Sequence, residues 1–152
     1  MNISLWVVQV VLAFAFLAHG LLFLFPPEAV RKIKKHSPLP EASSERLLRI
    51  YGARAPQMLS LISADPALAA AFSPSTGATG AEILFAFRHE LAETLVDCLW
   101  RRTLVGLSSD DAMRDANAAS RIAQHHLGWN AERTAHELAA CREYLARFKA
   151  NV

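Results

Sequence analysis

Glu82–Gly106, reading EILFAFRHELAETLVDCLWRRTLVG, is the stretch on which the fold turns. At about 100° per residue, Ile83, Leu84, Phe87, Leu91, Leu95 and Cys98 fall in one arc, and Glu90, Thr94, Asp97 and Arg101 run along its edge. The pattern predicts one long core helix, Ala81 to about Thr103, ended by Gly106 and carrying a half-buried polar seam. Asp97 and Arg101 stand four apart in the favourable acid-before-base order. The seam reads first as an internal hydrogen-bond network joining helices. Its second reading is a binding edge, with Trp100 and Arg102 as exposed anchors, because Trp and Arg concentrate interface energy.

Downstream, Ser108, Ser109, Asp110 and Asp111 signal a helix start, since side-chain oxygens satisfy free amides and acids oppose the positive helix end. Met113, Ala116, Ala119, Ile122 and Ala123 then make a small-residue face. Leu127-Gly128 ends that helix, with His125 and His126 in its last turn. Asn130 caps a final helix carrying Ala135, Leu138, Ala139, Leu145 and Phe148, and Trp129 fills the core between the two. Upstream, Ser43 or Ser44 caps a helix with Leu47, Leu48, Tyr51 and Ala55, bent or broken by Gly52 and Pro56. Asp65-Pro66 opens a short turn, and Ser75-Thr76-Gly77-Ala78-Thr79-Gly80 reads as a flexible loop. No segment alternates apolar and polar residues between turn signals, so essentially no sheet is expected. Without a strand, glycine-rich turn and helix in succession, a dinucleotide fold is excluded.

Ile3–Phe25 contains no Asp, Glu, Lys or Arg and would run about 34 Å as a helix, enough for a bilayer core. A spanning helix is expected rather than a signal peptide, for want of a basic leading region and a small-residue cleavage site. Arg31, Lys32, Lys34 and Lys35 follow directly, which places the N-terminus outside and the helical domain in the cytoplasm. Of 16 basic and 14 acidic residues, these four and Glu28 lie together just after the apolar run; the remaining 12 and 13 nearly cancel, which argues against nucleic-acid binding. The expected architecture is all-α: a transmembrane helix (1–27), a basic juxtamembrane linker (28–43), and a compact array of four or five helices (44–150). His19 is the intramembrane polar residue, read as a helix-pairing contact before a proton relay.

Glu90, Thr94, Asp97 and Trp100-Arg101-Arg102-Thr103, followed by Gly106 and Gly128-Trp129, resemble the C-terminal helical domain of FAD-dependent glycerol-3-phosphate dehydrogenases. The resemblance covers about Leu47 to Tyr144, beginning at Arg49-Ile50-Tyr51-Gly52-Ala53-Arg54-Ala55-Pro56. In that family the flavin fold and substrate residues lie upstream, so the resemblance implies a non-catalytic cap or docking module with no cofactor of its own. A separate flavoprotein, or self-association, would supply its partner. Asn2 to about Pro27 is similar to the first transmembrane helix of DoxX-like membrane proteins. That gives a second reading, a small subunit of a membrane assembly whose working part is the helix, and a third, a vestigial fusion.

No metal site is expected: His89 with Glu93, His125 with His126, and His136 near Cys141 lack a familiar ligand spacing. His89 and Glu93 read as a solvated i,i+4 pair. Cys98 and Cys141 read as small buried hydrophobes, unpaired in a reducing compartment.

Overall fold

The computed structural model describes residues 3–24, 37, 39–108 and 111–148. Helix α1 spans Ile3–Leu24. Its side chains from Trp6 to Ala18 are all exposed. Among the described residues no helix is long and apolar enough to cross a membrane, so the span expected over Ile3–Phe25 is not reproduced there. His19 lies in α1, but its side-chain surroundings, like the basic stretch at 31–35, fall outside the described residues.

Residues 39–148 build two apolar clusters that share one helix. Helix α2 (Glu41–Tyr51) starts at Pro40 rather than at Ser43 or Ser44. Proline's fixed φ suits the position before a first turn, and Ser44 instead donates its N–H to the Pro40 carbonyl at 3.0 Å and is buried. Gly52, at φ 52, ends α2, and a 3-10 turn (Gly52–Arg54) leads into α3 (Ala55–Ala64). Asp65 caps the next turn, Pro66–Ala69, by accepting from the Ala67 N–H.

The expected absence of sheet is corrected by a two-stranded hairpin, β1 (Ala71–Ser73) antiparallel to β2 (Ala78–Thr79). Strands this short carry no alternation to read. The Ser75–Gly77 turn is ordered by Gly77, at φ 70, whose N–H donates to the Ser73 carbonyl at 2.8 Å.

Helix α4 (Gly80–His89) is the centre of the molecule, buried from Gly80 through Ala86. Ala81, Leu84 and Phe85 face α2 and α3, while Ile83 and Ala86 join the cluster built on the later helices. The single long helix expected over Ala81–Thr103 breaks after His89. Leu91 adopts φ 57 with its side chain 85% exposed, so it leaves the apolar arc, and the Ala92 N–H reaches back to the Ala86 carbonyl at 3.1 Å. The chain then re-enters helix as a π-helical segment, Asp97–Arg102. Such wide turns form where side chains demand a rotation that α geometry does not give; here it buries Cys98, Leu99 and Trp100 in succession.

A one-turn helix α5 (Val105–Ser108) precedes α6 (Ala112–Leu127) and α7 (Ala131–Ala146). Asp111 and Asn130 cap α6 and α7 by accepting from the Arg114 and Arg133 amides, and Gly128, at φ 69, closes α6; Ser109 and Asp110 lie outside the described residues. Ala116, Ala119 and Ala123 are fully buried, which lets α7 approach closely. On α7 the inward face is Thr134, Glu137 and Cys141, not the expected Ala135, Ala139 and Phe148, which are exposed. Two polar residues turn inward because each finds a partner: Thr134 Oγ1 donates to the Asn130 carbonyl at 2.8 Å, and Glu137 accepts the Leu95 N–H at 2.7 Å.

Candidate functional site

The polar seam divides in two. Glu90 ends α4 and pairs with Arg54 at 2.9 Å, while the Arg54 guanidinium lies 4.6 Å over Phe85. Thr94 and Asp97 form a reciprocal helix start: Asp97 accepts from the Thr94 N–H at 3.2 Å and hydroxyl at 2.9 Å, and its own N–H donates to Thr94 Oγ1 at 3.0 Å. Arg101 closes on Asp97 at 2.6 Å from a largely exposed position. Glu90 thus links α4 to the turn before α3, whereas Thr94, Asp97 and Arg101 form a local cap on one segment, reinforced from α7 by Glu137. Partial burial acts to raise the Asp97 carboxyl, but the Thr94 hydrogen bonds, the Glu93 backbone and the Arg101 charge outweigh it and hold it below its usual value.

The inter-helix network lies elsewhere, on Glu82. Its carboxylate is fully buried and accepts from the Arg46 guanidinium, from the Tyr51 hydroxyl at 3.1 Å and from the Thr79 N–H at 2.9 Å. Burial, then the adjacent Glu82 charge and hydrogen bond, push the Tyr51 phenol above its ordinary range, so it serves as a fixed donor. Arg46 also reaches the Thr103 carbonyl at 3.4 Å. One acid thus ties α2, β2, α4 and the end of the π-helical segment together. The capping-box spacing Thr79-x-x-Glu82 was its only local signal; Arg46 lies 36 residues away.

Above this network lies an open cleft of about 490 Å³ between α2, the hairpin turn and α5, with Arg46, Arg49, Ile50, Thr76, Leu104 and Leu107 on its walls. Leu104, at φ 57, is 48% exposed, Leu107 67% and Ile50 39%. Trp100, expected as an exposed anchor, is instead buried at 4%. The π-helical turn swings its indole beneath α5, where a Cβ on Gly106 would lie 2.3 Å from Trp100 Cε2, and its ring sits 5.3 Å from Tyr144. Arg102 is exposed. Trp129 is buried edge-on to Phe87 at 5.4 Å, with the Arg133 guanidinium 4.4 Å over its ring.

Nucleophilic chemistry finds no support in the thiols. Cys98 and Cys141 are free and buried, and burial pushes Cys141 up to about 12 and Cys98 well above its ordinary value, so both stay protonated. Among the described residues no three His, Cys, Asp or Glu side chains could hold a metal ion. His89 and Glu93 are separated by the helix break, and His89 stacks on Phe85 at 5.1 Å. What the arrangement offers is a stiff, partly apolar, partly basic surface.

A family model for the C-terminal domain of alpha-glycerophosphate oxidase matches residues 19–134. A glycerol-3-phosphate dehydrogenase from a Synechocystis species is 33% identical over 104 residues, which cover 68% of this chain and 19% of that protein. The chain therefore spans about a fifth of the curated relative it matches. No solved structure matches. The DoxX-like resemblance of Asn2–Pro27 finds no support in these matches.

Proposed function

The chain belongs to the family of the C-terminal domain of alpha-glycerophosphate oxidase, and from that premise we propose that it is a non-catalytic helical module that docks onto a separate flavoprotein. The observation that supports this reading is the match of residues 19–134 to the C-terminal domain of an oxidase family. The part of such an enzyme outside the match would be the flavoprotein, and the module's contribution is assembly. The chemistry of the described side chains agrees with that role, since the thiols are inert and the polar clusters serve as caps and braces. Self-association is the alternative use of the same surface.

Placement at a membrane belongs to the same proposal. Trp6, Phe14, Phe16 and Leu17 of α1 are 61 to 75% exposed, and a helix apolar on all sides is stable only when covered by protein or lipid. Seated in lipid together with the rest of Ile3–Phe25, it tethers the domain, and the Arg31–Lys35 stretch keeps that domain on the cytoplasmic side. The second reading, in which α1 itself is the working part of a membrane assembly, rests on this exposure as well and makes His19 more sensitive to mutation than the cleft.

The test is a mild-detergent pull-down of the tagged full-length chain from its native membranes, with partner identification and an absorption scan. A yellow eluate containing a flavoprotein is the expected result. A colourless eluate holding only integral membrane subunits would transfer the function to α1, and solubility of the chain without detergent would remove the tether.

A further inference from the structure

The geometry points to the rim of the α2–α5 cleft as the face that meets the partner: Leu104, Leu107 and Ile50, edged by Arg49, receive a protein surface presenting an apolar ridge flanked by carboxylates. This inference rests on the docking reading above. Core leucines such as Leu47, Leu84, Leu95 and Leu99 are at most 2% exposed, whereas Leu104, Leu107 and Ile50 gather 39 to 67% exposure around one cleft.

Leu104 is also held at φ 57, a conformation that Gly or Asn adopts at lower cost. A turn alone would not select leucine there, and backbone strain of this kind collects at binding and switch positions. The presenting turn is stiff. Leu107 N–H and Ser108 Oγ both donate to the Leu104 carbonyl, at 3.2 and 3.0 Å, and Gly106 rests on the Trp100 indole.

Charge sets the partner's chemistry. Arg46 is neutralised internally by Glu82, but exposed Arg49 has no acidic partner among the described residues, nor has Arg102, two residues before Leu104. Both guanidiniums are left for carboxylates from outside. A protein rather than a bilayer is the occupant because the matched stretch forms 19% of a longer chain in the relative, so that a domain of this kind has further protein to pack against.

The experiment places a photo-reactive residue in the full-length chain, as Leu107→p-benzoylphenylalanine, with Ala139→p-benzoylphenylalanine on exposed α7 as control, and irradiates native membranes. The expected result is a flavin-containing protein captured from position 107 and not from 139. Leu104→Asp with Leu107→Asp, checked for an unchanged helical melting curve, should recover at least about tenfold less of that protein. If the pair fails to fold, Arg49→Glu on the exposed face of α2 replaces it, with a smaller loss expected and none counting against the proposal. Capture from 139 alone, or undiminished recovery by the variants, overturns the surface and leaves the docking reading standing. A lipid adduct at 107 also overturns it and assigns the face to the bilayer. Absence of any flavoprotein, by capture or pull-down, overturns surface and reading together.

Discussion

Replacing Arg46 with alanine probes the brace beneath the cleft and gives a large, calculable effect. Glu82 is fully buried and the Arg46 side chain only 10% exposed, so the pair is an interior one. Removing the guanidinium leaves the carboxylate to two remaining donors, the Tyr51 hydroxyl and the Thr79 N–H. Breaking a buried pair from one side costs about 3–5 kcal/mol, because an uncompensated charge stays behind. At about 4 °C per kcal/mol for a domain of this size, Arg46→Ala should melt roughly 12–20 °C below the parent. Circular dichroism of the full-length chain in detergent at neutral pH reads the difference. The companion Arg46→Met with Glu82→Leu removes both charges and should recover all but about 1–2 kcal/mol. An Arg46→Ala loss below about 1 kcal/mol, the magnitude of a surface pair, would refute the reasoning, since Glu82 would then be solvated in the fold.

Gly106→Ala drives a Cβ to 2.3 Å from the Trp100 indole; overpacking costs about 1–3 kcal/mol, offset by up to about 1 kcal/mol of helix propensity, and chemical denaturation should show a net loss that Trp100→Phe reduces. Leu91, at φ 57 and 85% exposed, has little packing to lose, so Leu91→Gly should raise stability by about 0.5–1 kcal/mol in the same assay; a loss would show that the side chain is anchored. Asp97→Ala removes the cap at the start of the π-helical segment and should cost about 0.5–2 kcal/mol. Because the Asp97 carboxyl is held below its ordinary value, this contribution is complete above about pH 4 and disappears on acidification through the lower folded value. Cys98, Cys141 and Tyr51 behave oppositely. Their folded values are raised, so stability is complete below the unfolded thiol value of about 8.5 and falls as pH rises, by up to about 1.4 kcal/mol per unit for each thiol. Denaturant midpoints at pH 8 and 10 measure this, and Cys141→Ala should flatten the slope.

Elements whose signals are local were legible in the chain. Asn130, Asp111, Gly128 and the Asp65-Pro66 turn each act through atoms within five residues, and each occupies the role that its side chain or backbone freedom dictates. The failures share another cause. A 3.6-residue period laid across Glu82–Gly106 carries no mark of the break at Leu91, because a leucine at φ 57 contradicts its own propensity, and the break is closed by the Ala92 N–H on the Ala86 carbonyl. Past the break, Leu95 and Cys98 keep the buried places the period gives them, but in the π-helical turn Trp100, expected as an exposed anchor, turns inward. The Glu82 network was hidden for a different reason, since two of its three donors come from α2, more than 30 residues away, and only tertiary structure brings them to it. Inward Glu137 on α7 was likewise invisible, as its partner is a backbone amide on another element.

The division of the core has a practical consequence for kinetics. Both cysteines sit in the cluster under α6 and α7, and the cluster around α2 and α3 contains neither. Their reaction with a thiol reagent therefore times the opening of one half of the domain and is silent about the other. If labelling follows the full unfolding free energy, α4 welds the halves into one cooperative unit. If it runs faster, the α6–α7 half breathes on its own. Cys98 lies six residues before Leu104 in the same folded segment, so a partner seated on the cleft should slow its labelling, giving the chain a built-in clock for occupancy that needs no added probe.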